Sequence, residues 1–141
     1  MIFRRALINR CVAAGFVLLP ASLMCQAKAY AEDQHMTVLS QVFSGPLRCE
    51  IRRSGEGHAV RLSGVVASTD AVDGNFRFSV MKSGPSGSSN INQSNKFHLD
   101  AGKEIYVGQM TVSLEPGAHA SVELLVSSNG IDCHAKASLD R

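Results

Sequence analysis

Asn75-Phe-Arg-Phe-Ser-Val-Met81, running on into Lys82-Ser-Gly-Pro-Ser-Gly-Ser-Ser-Asn-Ile-Asn-Gln-Ser-Asn95, decides the fold. In the first half Phe76, Phe78 and Val80 alternate with Arg77 and Ser79, the period of two that marks a half-buried strand. In the second half, from Ser83 to Asn95, there is no charge, and every residue except Pro85 and Ile91 is Gly, Ser, Asn or Gln. Such a run cannot bury enough apolar surface to fold alone. Set between a strong strand and the apolar Phe97, it reads as a long polar edge or hairpin inside a β-rich domain.

Working outward, the alternation repeats. Val60, Leu62 and Val66 share one parity, and Val122, Leu124 and Val126 another with Glu123 opposite. Ile105 and Val107 are odd whereas Met110, Val112 and Leu114 are even, and that phase change at Gly108-Gln109 predicts a β-bulge. Turn residues punctuate these runs at Ser54-Gly-Glu-Gly57, Asp73-Gly74, Asp100-Ala-Gly102, Glu115-Pro-Gly117 and Ser128-Asn-Gly130. The spacing predicts strands near 45–53, 58–67, 75–82, 89–99, 104–114, 118–127 and 130–138. Seven short strands in about 100 residues is the sandwich pattern. The expected fold is all-β, an immunoglobulin-like seven-stranded antiparallel β-sandwich over 45–141, with a closed barrel as the alternative. Residues 32–44 read as a flexible lead-in with room for a short strand at Val38–Phe43.

The first thirty-one residues read as an export address. Arg4, Arg5 and Arg10 form a basic start, Cys11 to Leu19 is apolar, and Ala29-Tyr-Ala31 is a small-x-small cleavage site. The apolar stretch is short of the ~20 residues a spanning helix needs, and Met24 before Cys25 disfavours a lipoprotein. Cleavage after Ala31 changes the charge. All twelve acids follow Ala31, whereas four of the fourteen bases (Arg4, Arg5, Arg10, Lys28) precede it, leaving ten bases and a formal charge of −2. That balance offers no basic field for nucleic acid.

Cys11 and Cys25 would leave with the signal, and Cys49 and Cys133 would remain. Leu47, Cys49 and Ile51 share a parity, as do Ile131, Cys133, Ala135 and Ala137, so both thiols fall on the apolar side of their strands. In an exported chain this predicts a buried Cys49–Cys133 disulfide, with a redox-active pair as the alternative. The five histidines lack ligand spacing, no G-x-S-x-G occurs, and there is no Trp. A metal site, a hydrolase and an aromatic carbohydrate platform are all disfavoured. No catalytic residue and no cofactor is expected.

Cys49-Glu-Ile-Arg52, Val60-Arg-Leu-Ser-Gly64, Phe76-Arg-Phe-Ser-Val-Met-Lys-Ser-Gly-Pro-Ser-Gly-Ser-Ser-Asn90, Gln93-Ser94, Phe97 and Cys133 together resemble the CsgH family of curli assembly proteins. The resemblance covers most of the mature region and is most specific in its central motif. It implies a small periplasmic domain, similar in role to the CsgC proteins, that acts as a chaperone-like inhibitor. Its partner would be the curli subunit CsgA, kept from forming amyloid before export by transient binding to early aggregating species. CsgC carries a C-x-C pair that this chain lacks, so no redox role carries over. An all-β domain suits the task, because amyloid grows by strand addition and a folded sheet can offer its own edge or face. The candidate contacts are the charges Arg61, Arg77, Lys82 and Lys96 and the polar residues Ser88, Ser89, Asn90, Asn92 and Gln93; solvation alone is the competing account of each. The protein is expected to be monomeric, and the alternative function is an extracellular structural or adhesive module.

Overall fold

The computed structural model describes residues 35–141, and every one of its regular elements is a strand. The expected signal peptide at 1–31 and its cleavage site lie outside the described residues. The strands are β1 (Thr37–Ser44), β2 (Leu47–Ser54), β3 (Ala59–Ser68), β4 (Val72–Gly84), β5 (Gly87–Leu99), β6 (Glu104–Ser113), β7 (His119–Ser128) and β8 (Ile131–Asp140). They form two four-stranded antiparallel sheets, ordered β1-β2-β3-β6 and β5-β4-β7-β8. This is the expected sandwich, with eight strands rather than seven.

The extra strand is β1, in the lead-in where the sequence left room for a short strand at Val38–Phe43; it runs over Thr37–Ser44. Its pairing with β2 shifts register between Val38 and Ser40, which breaks the period-two signal that betrays the other strands. Leu39 and Val42 nevertheless pack against the core and hold β1 in place.

The predicted strands owe their existence to alternation. Val60, Leu62, Phe78, Val80, Val122, Leu124 and Val126 are all buried between the sheets. Four of the five predicted turns fall where the sequence placed them; Asp73-Gly74 instead lies inside β4, paired with His98 and Phe97, and the chain bends earlier, at Thr69-Asp70. Asn129 and Gly130 both take positive φ (50° and 78°) between the paired Ser128 and Ile131, the two-residue loop that matches strand twist. The polar run is not a loop. Val72–Gly84 and Gly87–Leu99 pair in unbroken register, with only Pro85 and Ser86 between them, so most of 83–95 is strand.

Phe78, the largest fully buried side chain, sets how the sheets meet. It reaches from β4 onto Gly64 and Gly108, which face each other on β3 and β6. A Cβ on Gly108 would lie 2.8 Å from Phe78 Cβ and Cδ1, and one on Gly64 would lie 3.1 Å from Phe78 Cδ2. The predicted bulge is here too: Gly64 pairs with Gly108 but Val65 pairs with Tyr106, so Val107 is the additional residue.

The two sides of the sandwich are closed differently. On one side β1 and β8 are tied together. Ser44 Oγ donates to the Asp132 carbonyl at 2.8 Å, and the buried Cys49–Cys133 disulfide joins β2 to β8 across 84 residues with a Cα–Cα distance of 6.2 Å. On the other side β5 and β6 face each other across the gap between the sheets.

Two stability outcomes are expected. Gly108→Ala should cost about 1–3 kcal/mol, because the ring beneath has no free space into which to retreat, and Phe78→Ala about 3–5 kcal/mol; urea unfolding reads both. Reducing the disulfide, or Cys49→Ala with Cys133→Ala, should lower stability by about 2–4 kcal/mol through the long loop it closes, leaving a folded β-sandwich by circular dichroism.

Candidate functional site: the outer face of one sheet

Opposed residues in antiparallel strands share a face, so the pairings map the outer surface of sheet β5-β4-β7-β8 directly. Across it run the rows Lys96–Asn75–Ser127–Asp132, Ser94–Arg77–Leu125–His134, Asn92–Ser79–Glu123–Lys136, Asn90–Met81–Ser121–Ser138 and Ser88–Ser83–His119–Asp140. Five of the nine candidate contacts therefore lie on one plane: Arg77, Ser88, Asn90, Asn92 and Lys96. All five are exposed.

The edge strand of this plane carries a short hydrogen-bonded ladder. Ser79 Oγ donates to Asn92 Oδ1 at 2.6 Å, and Asn92 Nδ2 donates to Asn90 Oδ1 at 3.1 Å. Arg77 and Lys96 make no ion pair among the described residues. Together with Asn75, Asn95 and Leu125 they line a shallow groove of about 490 Å³. A cationic groove bordered by amides can receive a carboxylate and the polar side chains around it.

The other four candidates are placed elsewhere. Arg61 is exposed on β3, on the outer surface of the opposite sheet, opposed to Ser54 and Thr111. Ser89 and Gln93 lie on the inward side of β5, opposed to Lys82 and Phe78. The Gln93 amide is engaged within the molecule: Nε2 donates to the Gln109 carbonyl at 3.0 Å, and Oε1 accepts from the Gln109 N–H at 3.1 Å. Lys82 is ion-paired to Glu115 at 2.6 Å and is largely enclosed. Both looked free in sequence because their partners lie 16 and 33 residues away.

Glu115 also accepts from the Ser86 backbone N–H at 3.2 Å and from the Ser86 hydroxyl. It thereby anchors the Pro85-Ser86 turn. Lys82, and after it Ser86, holds the Glu115 carboxyl down at about 2. At the far end of β5, His98 sits between Asp73 (2.8 Å) and Asp100 (3.2 Å), and those carboxylates, Asp73 first, raise its pKa.

The outer surface of the opposite sheet has an organisation that sequence reasoning missed. Arg48 and Arg52 on β2 lie flat across β3 to reach Glu104 on β6 at 2.7 and 2.8 Å. Glu50 is buried between them, with Arg52 at 2.6 Å and the Gln41 amide donating at 2.7 Å. Arg48 Nε comes to 3.0 Å from Glu50 without the alignment of a hydrogen bond. The Glu104 hydrogen bond is the main reason the Arg52 pKa is raised, and Arg52 in turn lowers that of Glu104. This lattice covers Val65 completely although it points away from the core. Alternating Arg48, Glu50 and Arg52 gave the only signal in sequence; Glu104 lies two strands away and gave none.

The Glu115 anchor has a pH signature. Its folded pKa lies below the ordinary carboxylate value, so its contribution is complete above about 4.5 and is lost as pH falls towards about 2. Glu115→Gln should remove that part of the acid dependence, seen as a flatter melting-temperature profile between those pH values, and leave the neutral-pH fold intact.

The described residues form a disulfide-stapled β-sandwich with one polar, mostly uncharged edge strand. The CsgH family, described as CsgH protein, matches residues 48–136. This chain belongs to that family. Its structure is similar to the solution structure of R. palustris CsgH, with 23% identity over 74% of this chain and 92% of that one and a TM-score of 0.50. It is also similar to the E. coli curli protein CsgC, with 17% identity over 72% of this chain and 99% of that one and a TM-score of 0.55. No curated protein matches the chain. The family places the protein in a curli-related role, and the two structures share its fold.

Proposed function

We propose that this protein is an exported, chaperone-like inhibitor of curli-subunit amyloid. It works as a monomer in the periplasm once residues 1–31 are removed after Ala31, and needs neither a cofactor nor a catalytic step. The observation that carries the proposal is membership in the CsgH family over 48–136, spanning the strands that build the polar outer plane.

The chemistry of that plane supports the same reading. Arg77 and Lys96 are uncommitted cations beside a row of Ser88, Asn90 and Asn92, so the surface attracts an acidic, amide-rich chain without apolar adhesion. Contacts of this kind form and break quickly, which suits transient engagement of early aggregates rather than capture of every monomer. Arg61 stands apart on the opposite sheet and takes no part in this plane. Lys82 and Gln93 serve the fold first.

A small molar fraction of the protein should lengthen the lag before thioflavin-positive fibres appear from a curli subunit. Arg77→Glu with Lys96→Glu should cut that lag extension several-fold without lowering the melting temperature. Raising salt from 0.05 to about 0.5 M should weaken the wild-type effect, because exposed charges are screened beyond a Debye length of well under ~10 Å at that ionic strength. An unchanged lag at equimolar wild-type protein in low salt would remove the inhibitor and leave a structural or adhesive module.

A further inference from the structure

The β5/β6 side of the sandwich is held by a side chain where a strand could sit. The Gln93 amide offers one donor and one acceptor to the backbone N–H and C=O of Gln109, as a neighbouring strand would. We propose that this opening is a seat for one guest strand, which displaces the Gln93 amide and pairs with β5 on one side and β6 on the other. The inference rests on the function proposed above and adds where and how the subunit is held.

β5 and β6 come within 8 Å of each other, Cα to Cα. A guest strand needs two ladder steps of about 4.8 Å, so the two edges must part slightly to admit it, and release of the Gln93 amide removes the hydrogen bonds that hold them. The edges are suited to it. β5 pairs with β4 over its full length without a register shift, so its free edge is straight. β1, by contrast, shifts register near its start, between Val38 and Ser40, and β8 carries Asp132, Lys136 and Asp140. Both are poor templates.

The floor of the opening is apolar. Ile91 points inward on β5, opposed to the buried Val80, yet stays 38% exposed. Val107 and Met110, on either side of Gln109, are the most exposed members of the core at 8% and 9%. The walls, 89–95 on β5 and 106–113 on β6, carry no charge. The occupant is therefore an uncharged extended segment that alternates apolar with Ser, Asn or Gln side chains, the chemistry of an amyloid-forming strand. A strand added to an ordinary edge keeps its own outer edge and can template the next. A guest paired on both sides has none left.

Hydrogen exchange on the wild-type protein mixed with an unpolymerised curli subunit tests this. Backbone amides in both 89–95 and 106–111 should slow together. Ile91→Lys, which puts a charge on the floor, should reduce the lag extension at least fivefold with the melting temperature held within a few degrees. Slowing confined to β5, or absent from both strands while fibre formation is still delayed, overturns the seat and leaves the inhibitor function standing. If fibres are not delayed, slowing in both strands supports the seat alone, and no slowing removes both. Should the Ile91 variant fail to fold, the two-strand exchange pattern decides the matter.

Discussion

The structure depends on one contact between its sheets: the Phe78 ring resting on two glycines. Gly64 and Gly108 oppose each other, so the sheet they belong to has a gap one side chain deep, and Phe78 fills it from β4. Any Cβ in that gap meets the ring, which makes the pairing of β3 with β6 a matter of shape as well as hydrogen bonds. The bulge follows immediately, at Val107. It reverses the parity of β6, so that Val107 and Met110 both face inward while Tyr106 and Gln109 face away. Tyr106 is thereby set beside Arg52, whose guanidinium lies 5.9 Å from its ring centre, and the backbone of Gln109 is presented to Gln93. The plate on one surface and the clamp at one edge both descend from the same notch.

Much of this was legible in the chain because β-structure writes itself at short range. Parity placed Phe78, Val80 and both cysteines on the inward side, and the phase change in 105–114 located the bulge to within a residue or two. The polar run was recognisable as an edge because no other position tolerates it. What stayed hidden was set by distant partners. Gly108 looked like a bulge glycine, yet Phe78, thirty residues earlier, is what excludes a side chain there, and Gly64 gave no reason for itself at all. β1 was legible only as room for a short strand at Val38–Phe43, because its irregular register weakens the alternation. Parity told that Arg61 and Arg77 point outward, but not that they point from opposite sheets, since the assignment of strands to sheets depends on crossovers that leave no local mark.

The buried Glu50 shows what a sheet does when no helix or partner layer covers it. A surface strand must shield the hydrophobic β-formers that its propensity favours, and here the shield over Val65 is two arginine side chains lying flat. Their stems supply apolar cover and their heads remain paired. The buried carboxylate is tolerable because Arg52 and Gln41 meet it directly. Such a lattice is fixed in place and internally neutral, so its own charges offer a charged partner little, and Arg61, exposed on the same surface, stands outside it. The uncommitted cations Arg77 and Lys96 lie on the other sheet, and the division of labour between the surfaces follows from where the charges are already spent.

The four edges complete the argument. Under the proposed function the protein cannot present a template on every side, yet it must be able to engage one strand. β1 is bent by its irregular register and tied to β8 by Ser44, and β8 is charged at regular intervals. The staple between Cys49 and Cys133 keeps that side closed whatever happens at the other. β6 is bulged, and its one central donor and acceptor are taken by Gln93. Only β5 is straight, long and nearly uncharged, and it faces the one gap that is closed by a flexible side chain instead of a covalent bond. The proposed seat sets a covalently closed side against one closed by hydrogen bonds alone, and the asymmetry is built from a cysteine pair at one side and a single glutamine at the other.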